Sequence, residues 1–213
     1  MAGPVRASDR SLPPSALRGP ENKLRQYPTL SAATRSELAA AKRLRARLRA
    51  ATRRWPTPRA AAAAGFRTRR VRRTGVPAGF YLHAEHRRNS DDRIYLNPRR
   101  PEALIYANVP GRPLVLIGLM FSVPRGVRGP NPGGPITRWH THRVCARGSA
   151  RGLAPRRDGS CPRGSKPRQG SEMLHFWLTR DLRSAFAIHA PGPELCAARL
   201  PAMRCRHAGH RIR

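Results

Sequence analysis

The sequence predicts an α+β fold in which an N-terminal helical lead-in is followed by a small antiparallel β domain. Its length of 213 residues suits a single domain with tails. Between residues 34 and 55, apolar side chains recur every three or four positions, which is the period of one helix face. From Gly79 onward, short apolar segments alternate with Pro, Gly and Asn turns, which is typical of antiparallel strands.

The first helix is predicted to begin at the capping box TRSE, residues 34–37, in which the threonine hydroxyl and the glutamate carboxylate each bind the other's backbone N–H. It ends before Pro56. Thr57 and Pro58 then begin a second short helix, which Gly65 ends. The apolar stripe of the first helix consists of Leu38, Ala41, Leu44, Leu48, Ala51 and Trp55.

Six later segments have the apolar composition and the turn boundaries of strands. They cover residues 80–85, 93–96, 103–107, 114–123, 137–144 and 173–178. The predicted organisation is a disordered basic leader over residues 1–30, one domain over 31–196 and a disordered basic tail over 197–213. Within the domain, residues 146–170 are rich in Arg, Gly, Ser and Pro and are predicted to form an exposed loop.

The charge is strongly basic, with 43 Lys and Arg residues against 11 acids and a net charge of +32. Such a field attracts nucleic acid and other anionic partners, so a basic nucleic-acid-binding protein with structural histidines is the alternative function. Nearly all the basic residues are arginine, which a GC-rich coding sequence also explains.

No apolar run reaches the ~18 residues of a membrane span. Since residues 1–30 lack the apolar core of an export signal, the sequence as written predicts a cytoplasmic protein, or an exported one if its start is misassigned.

Histidines suggest a metal site. His140 and His142 are two residues apart, so on a strand both rings face the same side. Neutral imidazole binds zinc, copper, iron or manganese. His175, among large apolar residues, is the candidate third ligand, and His83 or His86 completes the set. The alternatives are a core histidine bonded to a backbone carbonyl at 175 and a surface histidine paired with an acid at 83 or 86. The predicted function is divalent-metal binding; no general base is evident, so an enzyme and a binding protein both stay open.

The four cysteines form no C-x-x-C pair, which excludes a zinc ribbon and a thioredoxin-like motif. Cys145 and Cys161 are either a disulfide or two thiols. A bridge would close a loop of roughly 15 residues and contribute ~3 kcal/mol in an oxidising compartment. In a reducing cytosol both would stay thiols.

Several motifs together resemble a bacterial, actinobacterial-type family of unknown function. They are A-x-x-x-G-F, a histidine segment, P-E-A-L-I-Y, L-x-G-L, W-H-x-H with a cysteine three positions later, C-P-x-G and M-L-H-x-W. These lie at residues 61–66, 83–86, 101–106, 116–119, 139–145, 161–164 and 173–177. The resemblance covers roughly residues 33–196 and implies that the two-histidine strand and the later histidine belong to one ensemble. The elements are also similar to cupin-like small barrels, in which an H-x-H pair and a distant histidine hold a divalent metal.

Overall fold

The computed structural model describes residues 33–68, 81–107, 113–141, 143–147, 160–188 and 190. The predicted leader at 1–30, the predicted tail at 197–213, His142 and residues 148–159 of the predicted loop lie outside these ranges. Within them, the chain combines an N-terminal helix with an antiparallel sheet, so the predicted α+β class is confirmed. The sheet is open in this part of the chain, and the cupin-like barrel is not confirmed.

Helix α1 (Arg35–Ala51) begins at the predicted capping box. The Glu37 N–H donates to the Thr34 hydroxyl at 3.2 Å, and the Thr34 N–H donates to the Glu37 carboxylate at 2.8 Å. These bonds satisfy two of the N–H groups that a helix start leaves open. The buried residues of α1 are Ala41, Leu44, Leu48 and Ala51.

Helix α2 (Pro58–Ala63) also begins and ends as predicted. The Thr57 side chain accepts from the Ala60 N–H, and Gly65 has a φ of +96°, which glycine adopts readily. The buried phenol of Tyr106 donates to the Thr57 carbonyl at 3.2 Å and so ties the junction between the two helices to the sheet.

The remaining elements follow in chain order. They are β1 (Arg67–Thr68), β2 (Tyr81–Glu85), α3 (Arg87–Asp91), β3 (Ala103–Ala107), β4 (Val115–Ser122), β5 (Arg143–Ala146), β6 (Lys166–Gln169), β7 (Met173–Trp177) and α4 (Leu182–Ala185). The main sheet has the order β1-β2-β3-β4-β7 with antiparallel neighbours throughout, and β5 and β6 form a separate two-stranded ribbon.

The two faces of the main sheet have different partners, because side chains alternate along each strand. One face packs against α1 in the larger core, where Leu104, Leu119 and Phe176 meet the buried stripe of the helix. The opposite face carries Ile105 and Trp177, which belong to a second, smaller apolar cluster.

A β-bulge bends this sheet at its centre. Ile105 of β3 pairs with Gly118 of β4, but Tyr106 pairs with Leu116, so Ile117 is an extra residue in β4. Bulges of this kind bend the strand and increase its local twist. A bend of this kind can bring side chains on non-adjacent strands closer together.

The predicted strand over residues 93–96 is wrong. Arg93 and Leu96 have φ values of 58° and 57°, in the left-handed region that ends a strand. The Asp92 carboxylate accepts from the Ile94 N–H at 2.7 Å and forms a 2.8 Å ion pair with Arg100. Local side-chain bonds therefore hold this segment as a turn in spite of its apolar residues.

The predicted strand over 137–144 is divided. A short 3-10 turn, Gly134–Ile136, precedes the segment. Within the segment, His140 forms a single bridge to Met173, and regular strand begins only with β5. Similarly, residues 166–169 form strand β6 inside the segment that was predicted to be loop. Cys145 in β5 and Cys161 form a disulfide with Cα atoms 5.5 Å apart. This bond holds the segment that leads into β6 beside β5, with which β6 pairs.

Candidate metal centre

Three histidines from three separate segments converge on the sheet face opposite α1. His83 lies in β2, and its row runs through Ile105 and Gly118 to Trp177, since paired residues of antiparallel strands share a face. His175 is two residues before Trp177 and therefore faces the same way. His140 joins the face through its bridge to Met173, with N–H to carbonyl distances of 2.8 and 2.7 Å.

The imidazole rings lie close together. The ring centroids of His140 and His175 are 5.0 Å apart, and those of His83 and His175 are 6.1 Å apart and stacked. His140 is 0% exposed and His175 is 7% exposed, while His83 is half-buried. The Nε2 atoms of all three are buried.

Sheet curvature explains how His83 and His175 meet. Strands β3 and β4 lie between them, and at ~4.8 Å per strand a flat sheet would separate β2 from β7 by about 14 Å. The 6.1 Å between the ring centroids therefore requires both side chains to lean across the intervening strands of a bent sheet, and the bulge at Ile117 is a local source of such bending. Gly118 supports the same approach, because a Cβ at that position would come 2.5 Å from the Phe176 carbonyl oxygen.

Hydrogen bonds fix the orientation of two of the rings. His140 Nδ1 donates to the Arg138 carbonyl at 3.2 Å, and His175 Nδ1 donates to the Ile188 carbonyl at 2.8 Å. A carbonyl only accepts, so in the neutral ring the proton is on Nδ1 and the lone pair is on Nε2. This arrangement is typical of histidines that bind metal through Nε2, and it also suits a core histidine, so it fits both roles that the sequence left open for His175.

No family model, curated protein or solved structure matches this chain. The resemblance to the bacterial family and to cupin-like barrels therefore stays a prediction.

Across the described ranges, no group of three or more His, Cys, Asp or Glu side chains is arranged so that it could hold a metal ion. His142, one of the predicted ligands, lies outside those ranges.

His86, the other candidate for the fourth ligand, has a different role in the structure. It is the N-cap of α3: its Nδ1 accepts from the Asn89 N–H at 3.2 Å, and its Nε2 donates to the Ala64 carbonyl at 3.1 Å. Its ring also packs edge-on against Phe66, with centroids 4.9 Å apart. The structure thus brings together His83, His140 and His175, and it assigns His86 to the junction between α2 and α3.

The two tryptophans next to the histidines have separate surroundings. Trp177 packs against His175, with ring centroids 5.1 Å apart, and its Nε1 donates to the Ala187 carbonyl at 2.7 Å. Because His175 binds the next carbonyl, that of Ile188, the segment after α4 orients both rings. Trp139 points the other way, as the alternation predicts: it is buried in the larger core and donates to the Pro130 carbonyl at 2.8 Å.

Sequence reasoning missed Glu102, an acid that directly precedes the wholly buried strand β3. Its carboxyl group is 2% exposed, and Oε2 is buried with no hydrogen-bond partner in the described part of the chain. Burial raises the pKa of this carboxyl to about 8, and the nearby charge of Asp92 adds a smaller rise, while backbone N–H groups of Glu102 and Ser122 oppose it. The only signal in the sequence was the position of an acid against a continuous apolar run, PEALIYA.

The described helices include none that is both long enough and apolar enough to cross a bilayer.

Proposed function

We propose that this protein is a divalent-metal-binding domain whose ligands are His83, His140, His142 and His175. The observation that carries the proposal is the convergence of three imidazoles with buried Nε2 atoms, from three chain segments, on one face of the sheet. Separate segments have no local reason to collect histidines on one face of a sheet.

The chemistry of the donors supports a metal. With Nδ1 of His140 and His175 donating to carbonyls, both rings offer the Nε2 lone pair that a metal requires, and their orientation is set before any ion binds. Neutral imidazoles suit zinc, copper, iron or manganese. When bound, such an ion would supply a Lewis acid or a structural cross-link between β2, β7 and the segment at His140.

The proposal assigns a necessary ligand to His142. The described residues alone do not form a group that could hold an ion, so three ligands as they stand are insufficient. His142 is two positions after His140 and is the remaining histidine of the H-x-H pair. Loss of His142 alone is therefore expected to abolish binding.

Metal content tests the proposal. The full chain, without a histidine tag, is reconstituted separately with Zn²⁺, Cu²⁺, Fe²⁺ and Mn²⁺, desalted, and analysed by elemental mass spectrometry. The expected result is about one ion per chain for one of the metals, with a rise in unfolding free energy of about 2.7 kcal/mol at a free metal concentration 100 times Kd.

Matched variants identify the site. His142→Ala and His140→Ala are expected to lose the ion. His86→Asn removes a histidine but keeps a side chain that can cap α3, so it is expected to retain the ion. Absence of metal from the wild-type chain under all four conditions contradicts the proposal, as does equal metal content in wild type and His140→Ala/His142→Ala.

A further inference from the structure

The outward side of α1 is a cationic surface separate from the histidine face. Lys42, Arg43 and Arg47 are exposed, and between and beyond them the helix presents the small exposed residues Ala46 and Ala50. At 1.5 Å per residue, cations follow one another along the helix within about one turn. The exposed Arg53 and Arg54 of the following 3-10 turn continue the surface. We call these five basic residues the α1 basic surface.

Two other arginines of the same helix are used by the fold. The Arg45 guanidinium donates to the carbonyls of Thr179, at 3.2 Å, and of Arg180. The Arg49 guanidinium donates to the Thr179 carbonyl at 3.1 Å. These bonds engage both side chains with the backbone that follows β7, although Arg49 itself is exposed. Hydrogen bonding to this backbone, and not burial, distinguishes the two arginines from the α1 basic surface.

Hardly any negative charge opposes the surface locally. Residues 35–68 contain ten basic residues and a single acid, Glu37. Its carboxylate is occupied in the capping box with Thr34 at the far end of α1. The described residues contain no ion pair to a member of the α1 basic surface. The positive potential there is therefore available to an external anion.

The side chains on this surface favour nucleic acid over a lipid surface. A helix that binds a membrane inserts large apolar side chains beside its cations. In α1 the large side chains of Leu44 and Leu48 are buried in the core, and the residues between and beyond the cations are the alanines Ala46 and Ala50. Leu38, near the start of the helix, is the one large apolar residue of α1 that is exposed, at 37%. Alanines between arginines allow a phosphate backbone to approach closely. We propose that the α1 basic surface binds the phosphates of duplex nucleic acid without regard to sequence, because contacts to phosphates position a protein but do not specify bases.

Salt dependence tests this inference. Binding of the full chain to a labelled 20-base-pair duplex is followed by fluorescence anisotropy between low and moderate NaCl. Each phosphate neutralised contributes about −0.9 to the slope of log K against log salt concentration. Arg43→Gln/Arg47→Gln is expected to make the slope shallower by about 1.8, since it removes two contacts.

The matched control is Arg45→Gln/Arg49→Gln, which removes the same charge from the same helix but at the two structural arginines. It is expected to leave the slope nearly unchanged while lowering stability. Equal changes in slope for the two double variants would overturn the inference, since they would indicate attraction by overall charge alone. Binding to vesicles containing phosphatidylglycerol that depends on Arg43 and Arg47, without such dependence for the duplex, would also overturn it. Lys42→Gln/Arg47→Gln repeats the test if the first variant does not fold.

Discussion

Replacing Glu102 by glutamine is expected to remove much of the loss of stability that this protein undergoes as pH rises from about 4.5 to about 8. Glutamine has the shape of the protonated carboxyl group and cannot ionise, so it keeps the buried contacts and removes only the titration. Glu102 is suited to the test because it is 2% exposed and its Oε2 is buried with no hydrogen-bond partner among the described residues. An ionised carboxylate in that position is costly.

The magnitude follows from the pKa, which burial raises from 4.5 to about 8. A folded-state pKa above the unfolded value means that the native state keeps a proton which the unfolded chain releases. Stability from this group is therefore fully present below pH 4.5 and falls as pH rises toward 8, by about 1.4 kcal/mol per pH unit. The loss over this window is roughly 5 kcal/mol, which is comparable with the whole stability of many domains.

The assay is urea unfolding followed by the fluorescence of the buried tryptophans, at pH values from 4.5 to 9 with the disulfide intact. The quantity of interest is the unfolding free energy of wild type minus that of Glu102→Gln at each pH, since the other titrating groups cancel. It is expected to become more negative from pH 4.5 to pH 8 and then to level off. A difference that does not vary with pH would refute the reasoning, because it would mean that Glu102 ionises equally in both states.

Three further changes test the fold. Cys145→Ser/Cys161→Ser opens a bridge between residues 16 positions apart and is expected to lower unfolding free energy by about 3 kcal/mol; urea midpoints equal to wild type would contradict this. Thr34→Ala removes the side chain that caps α1 and is expected to cost about 1 kcal/mol in the same assay, with the serine variant close to wild type. Gly129→Ala places a methyl group against the Trp139 ring, where there is no room for it, and is expected to destabilise by about 1–3 kcal/mol; an unchanged midpoint would mean that the ring can move freely.

The first two helices could be predicted from the sequence because their signals are local, whereas the short helices α3 and α4 were not predicted. The capping box at residues 34–37, the N-cap Thr57 and the terminal Gly65 each act on backbone groups within a few residues, so the pattern alone determines them. Strand β3 was also predicted with its observed bounds, since a continuous apolar run between turn residues has few alternatives.

The strands that were missed or wrongly predicted depend on long-range or conformational effects. Residues 93–96 have strand composition but adopt left-handed backbone angles at both ends. Strand β6 has no apolar pattern, and it pairs with β5 because a disulfide holds the two segments together. Neither cause is visible in the composition of the segment itself.

The histidine cluster was predictable in its members but not in its geometry. The position of His175 among the large apolar residues of a predicted strand indicated it as a ligand. The alternation of side chains along a strand predicted which face His140 lies on. The rings of His83 and His175 approach across two intervening strands, β3 and β4, whose pairing contains a bulge at Ile117, and no local pattern in the sequence predicts that approach. Only the assembled sheet could separate His83 from His86, since one faces the cluster and the other caps α3.

The histidine cluster, as the proposed metal site, and the α1 basic surface lie on opposite sides of one sheet, and we expect them to act independently. Chelation should leave the salt slope for duplex binding unchanged, and Arg43→Gln/Arg47→Gln should leave the metal content unchanged. A salt slope that changes on chelation would instead indicate coupling, and the bonds from Arg45 and Arg49 to the Thr179 carbonyl would be its route, because they join α1 to the chain four residues beyond His175. In that case Arg45→Gln/Arg49→Gln should abolish the effect of chelation, whereas persistence of the effect would exclude this route.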